Sequence, residues 1–121
     1  MVAQFRHHFN LPVRSFPEPD KANLELHARL LAEEVGETLS AIRDGDHVEL
    51  LDGLTDLIVV AYGCALDCGF DLDAAFEEVH RSNMSKLGTD GEPILREDGK
   101  ILKGPNYSPP DLRALAGINP R

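Results

Sequence analysis

The chain has 121 residues, which suits one domain, because single hydrophobic cores usually form from about 100–150 residues. Asp and Glu residues outnumber Lys and Arg residues by 21 to 12, and the resulting net charge of −9 repels nucleic-acid backbones and anionic membrane surfaces. We therefore expect no nucleic-acid partner and no membrane association. A polyphosphate ligand would need a divalent cation to mediate between it and so acidic a protein.

The cysteines and the apolar segments indicate the cellular compartment of the protein. Cys64 and Cys68 stand four residues apart in one predicted helix, which is a poor arrangement for a disulfide and too small a set for a zinc site, so we predict free thiols. The N-terminus lacks an apolar signal core, and the longest apolar run, residues 57–66, is shorter than the ~20 residues that span a bilayer. These features predict a cytoplasmic protein.

The first 20 residues show no clear period, and Pro17 and Pro19 interrupt any helix there. We predict an N-terminal arm with a short helix near residues 3–9. Apolar residues then recur at intervals of three and four, which predicts a long helix that Asp20 caps and that ends near residues 44–45. The apolar face of this helix consists of Leu24, Ala28, Leu31, Val35, Leu39 and Ile42.

A second helix is predicted from Asp46, which with Glu49 resembles a capping box, to Gly69. Its centre, residues 57–66, is apolar on nearly every side and must therefore be buried all round. A small domain buries such a helix centrally or at a subunit interface, so we expect a homodimer or a tetramer made of two dimers. Gly63 is expected to let a helix of another subunit approach closely.

A third helix is predicted to begin after Asp71 and to run to Leu87, where Gly88 ends it. Two short apolar pieces then flank Asp98 and Gly99, a pattern that is typical of a hairpin. The remaining residues are proline-rich.

We predict a last short helix at residues 111–116. The fold class that follows is all-α: one domain of three to four main helices with a C-terminal hairpin or extended tail. We divide it into an N-terminal arm (1–20), a helical core (21–88) and a tail (89–121).

Acidic residues form two groups on the predicted helices. At roughly 100° per residue, Glu33, Glu34 and Glu37 face a similar direction on the first long helix. Glu49, Asp52 and Asp56 form one narrow stripe on the second helix. Solvated helix faces often carry glutamates, but an unpaired carboxylate directly before an apolar run is costly to bury, and a divalent cation could join the two groups.

These residues carry a resemblance to a known superfamily. The sequence EEVGE, residues 33–37, matches the EExxE motif of the all-α nucleoside triphosphate pyrophosphohydrolases, the MazG-like superfamily. The segment VHRSNMSK, residues 79–86, and the later pieces DGK, GPNY and PPD resemble its phosphoribosyl-ATP pyrophosphohydrolase-like branch, which includes relatives that act as dimeric dUTP diphosphatases. The resemblance covers residues 5–113.

The resemblance implies an oligomeric MazG-like helical bundle that hydrolyses the bond between the α- and β-phosphates of a nucleotide and releases pyrophosphate. It implies a Mg²⁺ cofactor, with Mn²⁺ as a possible substitute, bound by acidic residues, with a metal-activated water as the attacking group. The implied metal ligands are Glu33, Glu34, Glu37, Asp52 and Asp56, of which Glu33 and Glu37 would also be catalytic.

The implied substrate-binding residues lie on the third helix and in the tail: His80, Asn83, Lys86 and Tyr107. From the residues alone, His80 is more often a structural hydrogen-bonding group, and Asn83 and Lys86 could as well serve a helix end. Tyr107 could close over a base or fasten the tail to the rest of the chain.

The chain departs from the superfamily pattern at one position. The second motif of the superfamily is ExxD, and the residue three before Asp56 is Gly53. Asp52 or Glu49 could complete the metal site in its place. Two alternatives to a nucleoside triphosphate pyrophosphohydrolase therefore stay open: a phosphoribosyl-ATP pyrophosphohydrolase, and a helical dimer that binds nucleotides without catalysis.

Overall fold

The computed structural model describes residues 1–118 and is all-α, with four α-helices and no regular strand in that part of the chain. The elements, in chain order, are α1 (Val2–His8), a 3-10 turn (Pro19–Lys21), α2 (Leu24–Asp44), α3 (His47–Cys68) and α4 (Leu72–Met84). The chain divides into two compact units, unit 1 up to Phe70 and unit 2 from Asp71 onward. This division falls inside the stretch that we assigned to one helical core, and the single-domain assignment stays a prediction.

Local capping signals set the ends of the two long helices. The Asp46 side chain accepts a hydrogen bond from the backbone of Glu49 at 3.1 Å and begins α3, which confirms the predicted start. Gly45 ends α2 in the left-handed conformation, with φ 67°. The predicted cap at Asp20 is wrong, because Asp20 lies in the 3-10 turn and the α2 cap is the side chain of Asn23.

A two-residue connection joins α2 to α3, so the two helices form a tightly packed antiparallel hairpin. The closest approach is at Gly53, which is buried. A Cβ atom placed there would overlap the hydroxyl of Thr38 and lie 3.3 Å from the Thr38 Cα atom. Gly53 is therefore required for helix packing, and any larger side chain at this position would push the helices apart.

We expect Gly53→Ala to lower the free energy of unfolding by about 1–3 kcal/mol, because the added methyl group overlaps Thr38 across the helix interface. Gly36→Ala is the matched control, since Gly36 lies in α2 and a Cβ there meets nothing within 4 Å. That control should stabilise the protein by up to about 1 kcal/mol. Urea unfolding of both variants measures the difference, and equal stability of the two would contradict this packing.

The N-terminal arm crosses the C-terminal end of α3 and satisfies its carbonyl groups. The backbone of Arg14 donates to the carbonyl of Leu66 at 2.9 Å, and the backbone of Glu18 donates to the carbonyl of Cys68 at 2.7 Å. Gly69, with φ 79°, leaves room for the arm, because a Cβ there would overlap the Phe16 carbonyl. The arm thereby satisfies backbone groups that would otherwise be unpaired at the helix end.

A buried ion cluster fastens the arm and α2 to α3. Oδ2 of Asp67 accepts a hydrogen bond from Nε2 of His27 at 2.8 Å and lies 3.7 Å from the Arg6 guanidinium. The Arg14 guanidinium lies 3.5 Å from the other carboxylate oxygen, Oδ1. The backbone of Asn23 donates to Oδ2 at 3.4 Å. Burial alone would raise the pKa of Asp67, but the hydrogen bonds from His27 and Asn23 and the positive charges nearby hold it below its ordinary value.

Gly63 and the two cysteines have neighbours in the same chain. A Cβ at Gly63 would lie 3.2 Å from Nη1 of Arg6, so within one chain Gly63 leaves room for an α1 side chain, and the approach of a helix of another subunit stays a prediction. The prediction of free thiols is confirmed. Cys68 is buried, Cys64 is half-buried, and burial followed by the proximity of Cys64 raises the pKa of Cys68 to about 11.

The centre of α3 is not buried all round within one chain, so the first of the two predicted ways of burying it, central packing, is not complete, and burial at a subunit interface stays a prediction. Ile58 is 59% exposed and Val59 is 42% exposed. Leu39 and Ile42, on the predicted apolar face of α2, are exposed as well. Apolar surface on both long helices of unit 1 is therefore left without cover in the single chain.

Unit 2 consists of α4 and the tail. The predicted start is confirmed, since the Asp71 side chain accepts from the backbone of Ala74, but α4 ends at Met84, three residues before the predicted end. The predicted hairpin is reduced to one antiparallel bridge between Leu95 and Ile101. The predicted helix at residues 111–116 is wrong, because that stretch contains only turns.

Among the described residues, no single helix combines the length and the apolar character needed to cross a membrane. The helices α3 and α4 satisfy those two criteria only when they are counted together.

Candidate functional site

The acidic residues of the EExxE motif lie in the middle of α2, where each has a different environment. Glu33 and Glu37 are exposed, whereas Glu34 is half-buried. Oε2 of Glu34 is buried and has no hydrogen-bond partner within residues 1–118. A buried carboxylate oxygen without a partner is costly, and it marks Glu34 as a group that would gain from a ligand.

The acidic residues of α3 approach Glu34, as the two predicted stripes require. Burial raises the pKa of Glu34, and repulsion from the carboxylates of Glu37, Asp56 and Asp52 raises it further. The charges that act on Glu34 thus come from both helices: Glu37 lies on α2, and Asp52 and Asp56 lie on α3. We call Glu34, Glu37, Asp52 and Asp56 the acidic cluster.

An open groove of about 560 Å³ lies beside the acidic cluster, on the α2–α3 hairpin near its connection. Its lining includes Glu33 and Glu37 from α2 and Glu49 from the first turn of α3. Asp44 and Asp46, at the connection itself, add two further carboxylates that the sequence analysis did not include in the site. Glu37 belongs both to this groove and to the acidic cluster, and it therefore joins the two.

The carboxylates provide the ligands that Mg²⁺ prefers, which are hard oxygen atoms. Within residues 1–118, however, no group of three or more His, Cys, Asp or Glu side chains is already spaced to hold a metal ion. The donor chemistry and the unpartnered Oε2 atom fit a divalent ion, whereas the spacing of the side chains would have to contract around it.

The four predicted substrate-binding residues all lie in unit 2. His80 and Asn83 are exposed on α4, and Lys86 is half-buried in the turn that follows α4. The Lys86 carbonyl accepts from the backbone of Gly104 at 2.8 Å. Tyr107 is half-buried, and Nζ of Lys103 lies 4.7 Å from its ring centre.

Hydrogen bonds fasten the tail of unit 2 to α4. The hydroxyl of Ser82 donates to the carbonyl of Ser108 at 2.8 Å, next to Tyr107 in the chain. The Glu78 carboxylate accepts from Arg81 at 2.6 Å and from the backbone of Asp111 at 2.6 Å. The hydrogen bonds from Arg81 and Asp111 lower the pKa of Glu78 to about 2. A fastening role for this part of the tail agrees with these contacts, and the substrate roles stay predictions.

The α2–α3 hairpin carries carboxylates on both of its helices, and Glu37, Asp52 and Asp56 act on Glu34. The sequence model of the phosphoribosyl-ATP pyrophosphohydrolase family matches residues 2–83. The chain belongs to this family, within the MazG-like all-α superfamily. Family membership gives it a pyrophosphohydrolase-type function that acts on acid anhydride bonds.

The family match covers unit 1 and α4 and ends before the tail. The resemblance of the tail to the same branch therefore stays a prediction. No curated protein matches the chain significantly.

Proposed function

We propose that the protein is a Mg²⁺-dependent nucleotide pyrophosphohydrolase that converts a nucleoside or deoxynucleoside triphosphate and water into the monophosphate and pyrophosphate. The observation that carries the proposal is the acidic cluster, in which Glu37, Asp52 and Asp56 raise the pKa of Glu34 across the α2–α3 hairpin. A surface of net charge −9 would repel the same substrate if no cation were present. Both facts support a requirement for a divalent cation.

The residues that would hold Mg²⁺, or Mn²⁺ as a substitute, are the four of the acidic cluster, with Glu33 or Glu49 able to reach from the groove. When bound, the ion supplies charge neutralisation of the polyphosphate and activation of a water. Glu34 presents its unpartnered Oε2 atom, and Asp56 is half-buried. Glu37 is exposed at the junction with the groove, where the substrate phosphates can enter.

Glu33 is suited to receive the proton, because it lines the groove beside Glu37 and is exposed. In the reaction, the oxygen atom of water forms a bond to phosphorus and its proton passes to the carboxylate of Glu33. The bridging phosphorus–oxygen bond then breaks, and the leaving pyrophosphate takes the electron pair. The proton returns to solvent when the products leave.

The missing glutamate at position 53 does not argue against catalysis. Gly53 packs against Thr38, and no side chain fits there, so the residue serves the helix hairpin. The spacing of the second motif occurs intact one turn earlier, at Glu49 and Asp52. Asp52 belongs to the acidic cluster and Glu49 lines the groove, which supports an active site over a helical dimer that only binds nucleotides.

A second substrate has equal support from the family match, namely phosphoribosyl-ATP. The experiment that separates the two measures pyrophosphate release from a panel of nucleoside triphosphates, deoxynucleoside triphosphates and phosphoribosyl-ATP. Preferential release from one or more triphosphates supports the proposal. Release from phosphoribosyl-ATP alone assigns the second function and overturns the first.

We also propose that the protein works as a homodimer or as a tetramer of two dimers. The exposed apolar side chains of α2 and α3, among them Leu39 and Ile58, are the surface that a second copy would cover. Light scattering of the purified protein measures its mass, and a monomer at micromolar concentration would contradict this part of the proposal.

A further inference from the structure

The close contact between Gly53 and Thr38 lies next to the acidic cluster on both long helices. Glu34 is four residues before Thr38 on α2, and Asp56 is three residues after Gly53 on α3. Residues three or four apart share a helix face and are separated by about one turn, or roughly 5.4 Å. Because α2 and α3 are antiparallel, both steps run in the same direction, so Glu34 and Asp56 are neighbours of the contact on one side. The effect of the Asp56 charge on the pKa of Glu34 agrees with this placement.

The Thr38 side chain cannot simply turn away from Gly53. It is 5% exposed, and its hydroxyl donates to the carbonyl of Glu34 at 2.7 Å. The branch at Cβ makes the side chain stiff. A Cβ atom at Gly53 would also lie 3.3 Å from both Cα and Cβ of Thr38, which no side-chain rotation moves. A larger residue at position 53 is therefore accommodated by separation of the two helices.

The α3 side of the acidic cluster needs the helices to be close. It consists of Asp52 and Asp56, whose side chains are shorter than those of the glutamates on α2. Mg²⁺ requires near-ideal octahedral geometry, with ligand oxygens at about 2.0–2.1 Å. Short side chains on one helix and longer ones on the other reach a common ion only when the helices approach closely. Gly53 lies directly after Asp52 and permits that approach.

The acidic cluster has little distance to spare. Its side chains have to contract around an ion, because no group of three or more His, Cys, Asp or Glu side chains in residues 1–118 is already spaced to hold one. Any further separation of α2 from α3 adds to the movement that binding requires. Packed interiors are stiff and transmit strain, so a change at Gly53 reaches the cluster one turn away.

We propose that Gly53 and Thr38 are positioning residues, and that their contact sets the distance between α2 and α3 at which the acidic cluster closes around a divalent ion. We call it the spacer contact. This inference rests on the proposed function. Gly53, which stands where the superfamily motif has a glutamate, thus serves metal binding by its small size and not as a ligand.

The test measures binding of Mn²⁺ alone, without nucleotide or turnover, from the electron paramagnetic resonance signal of the free ion. Glu34→Gln identifies the Mn²⁺ that is bound at the acidic cluster, since it removes the unpartnered Oε2 atom. Gly53→Ala should weaken this binding at least about ten-fold, as loss of groups that orient metal ligands does. Circular dichroism selects conditions in which each variant is folded. A role in stability alone would leave the affinity of the folded protein unchanged.

Gly63→Ala is the matched control. Gly63 is also buried in α3, ten residues after Gly53, and a Cβ there would also make a close contact. The crowded atom is Nη1 of Arg6 on α1, at 3.2 Å, so the spacing between α2 and α3 is not affected. This variant should bind Mn²⁺ within about two-fold of the wild type.

A rescue variant tests the contact itself. Thr38→Ala removes the hydroxyl that the methyl group of Gly53→Ala overlaps, and it leaves only the contacts of 3.3 Å, which a shift of a few tenths of an ångström relieves. The double variant should therefore bind Mn²⁺ within about three-fold of Thr38→Ala alone, although Gly53→Ala by itself costs about ten-fold or more.

Thr38→Val carries the test if Gly53→Ala does not fold. A methyl group in place of the hydroxyl is larger and presses on Gly53 from the other helix. It should weaken Mn²⁺ binding at least about three-fold, whereas Thr38→Ser, which keeps the hydroxyl, should bind as the wild type does.

Mn²⁺ affinity that Gly53→Ala leaves unchanged, a double variant that binds no better than Gly53→Ala, or equal binding by Thr38→Val and Thr38→Ser would overturn the inference. So would a wild-type protein with no Mn²⁺ at the acidic cluster. Failure of the proposed function has a different result. The expected pattern of Mn²⁺ binding without nucleotide hydrolysis would remove the function and leave the spacer contact. Metal-dependent hydrolysis with Mn²⁺ affinity unaffected by Gly53→Ala would remove the spacer contact and leave the function.

Discussion

Glu37→Gln is expected to lower pyrophosphate release at least about 100-fold, the largest effect on activity of any single substitution in the chain. Glu37 is the one carboxylate that both lines the groove and acts on Glu34 in the acidic cluster, so its loss affects metal binding and substrate entry together. The amide keeps the shape of the side chain. It also removes a like charge from the cluster, so the folded state should be at least as stable as the wild type.

Glu25→Gln is the matched control for this substitution. Glu25 lies on the same helix, in its first turn, and its side chain is 87% exposed with only a distant ion pair to Arg29 at 3.9 Å. Surface pairs of this kind contribute little, so activity should stay within about two-fold of the wild type. If Glu37→Gln and Glu25→Gln released pyrophosphate at the same rate, the acidic cluster would not be the site of catalysis.

Asp67→Asn is expected to cause the largest loss of stability, about 3–5 kcal/mol. The substitution removes the negative charge that lies against Arg6, Arg14 and His27, and among residues 1–118 it leaves the buried Arg6 guanidinium without a counter-ion. Because the cluster fastens the arm and α2 to α3, its loss weakens the packing of these three elements. Urea unfolding followed by circular dichroism measures the change.

The lowered pKa of Asp67 predicts how the free energy of unfolding depends on pH. Burial would raise the pKa of Asp67, but the hydrogen bonds from His27 and Asn23 and the nearby positive charges lower it below the ordinary 3.8. Its contribution to stability is therefore fully present above pH 3.8 and is lost as the pH falls through the lowered value in the folded state. The difference in stability between wild type and Asp67→Asn should shrink over that acidic range.

Asp20→Asn serves as the control for both measurements, because Asp20 is exposed in the 3-10 turn. We expect it to change the free energy of unfolding by no more than about 0.5 kcal/mol. An Asp67→Asn variant as stable as this control at neutral pH would show that the ion cluster does not hold the arm to α3.

Local signals in the sequence predict much of unit 1 because the groups involved are neighbours in the chain. Asp46 caps a helix whose first turn follows directly, and Gly45 ends the helix before it. The spacing of Glu34 and Glu37 on α2, and of Asp52 and Asp56 on α3, likewise places each pair on one helix face. That the two pairs meet follows from the short connection between the helices.

Contacts between distant residues were not predictable in this way. His27 and Asp67 are 40 residues apart, and the ion cluster has no local sequence pattern. Gly53 was interpreted as a lost glutamate because its neighbour, Thr38, lies on the other helix. The α2 cap was misassigned because a 3-10 turn, which the sequence analysis did not include, occupies the position of Asp20.

The hairpin predicted in the tail of unit 2 is shorter than expected, and for a different reason. The pattern around Asp98 and Gly99 predicts a hairpin, and the turn itself forms, with the Gly99 backbone donating to the carbonyl of Arg96 at 2.9 Å. Only the bridge between Leu95 and Ile101 follows it, because the flanking apolar pieces are short and largely exposed. A two-stranded hairpin without a packed face is marginal in water.

The measurement that tests the central claim most directly is pyrophosphate release from a panel of nucleotides in excess EDTA and again after Mg²⁺ is restored in the same sample. Metal-dependent hydrolysis at the acidic cluster predicts no release in EDTA and full release from at least one nucleotide after Mg²⁺ is added. Release that continues unchanged in EDTA, or none from any nucleotide with Mg²⁺ or Mn²⁺ present, would contradict it.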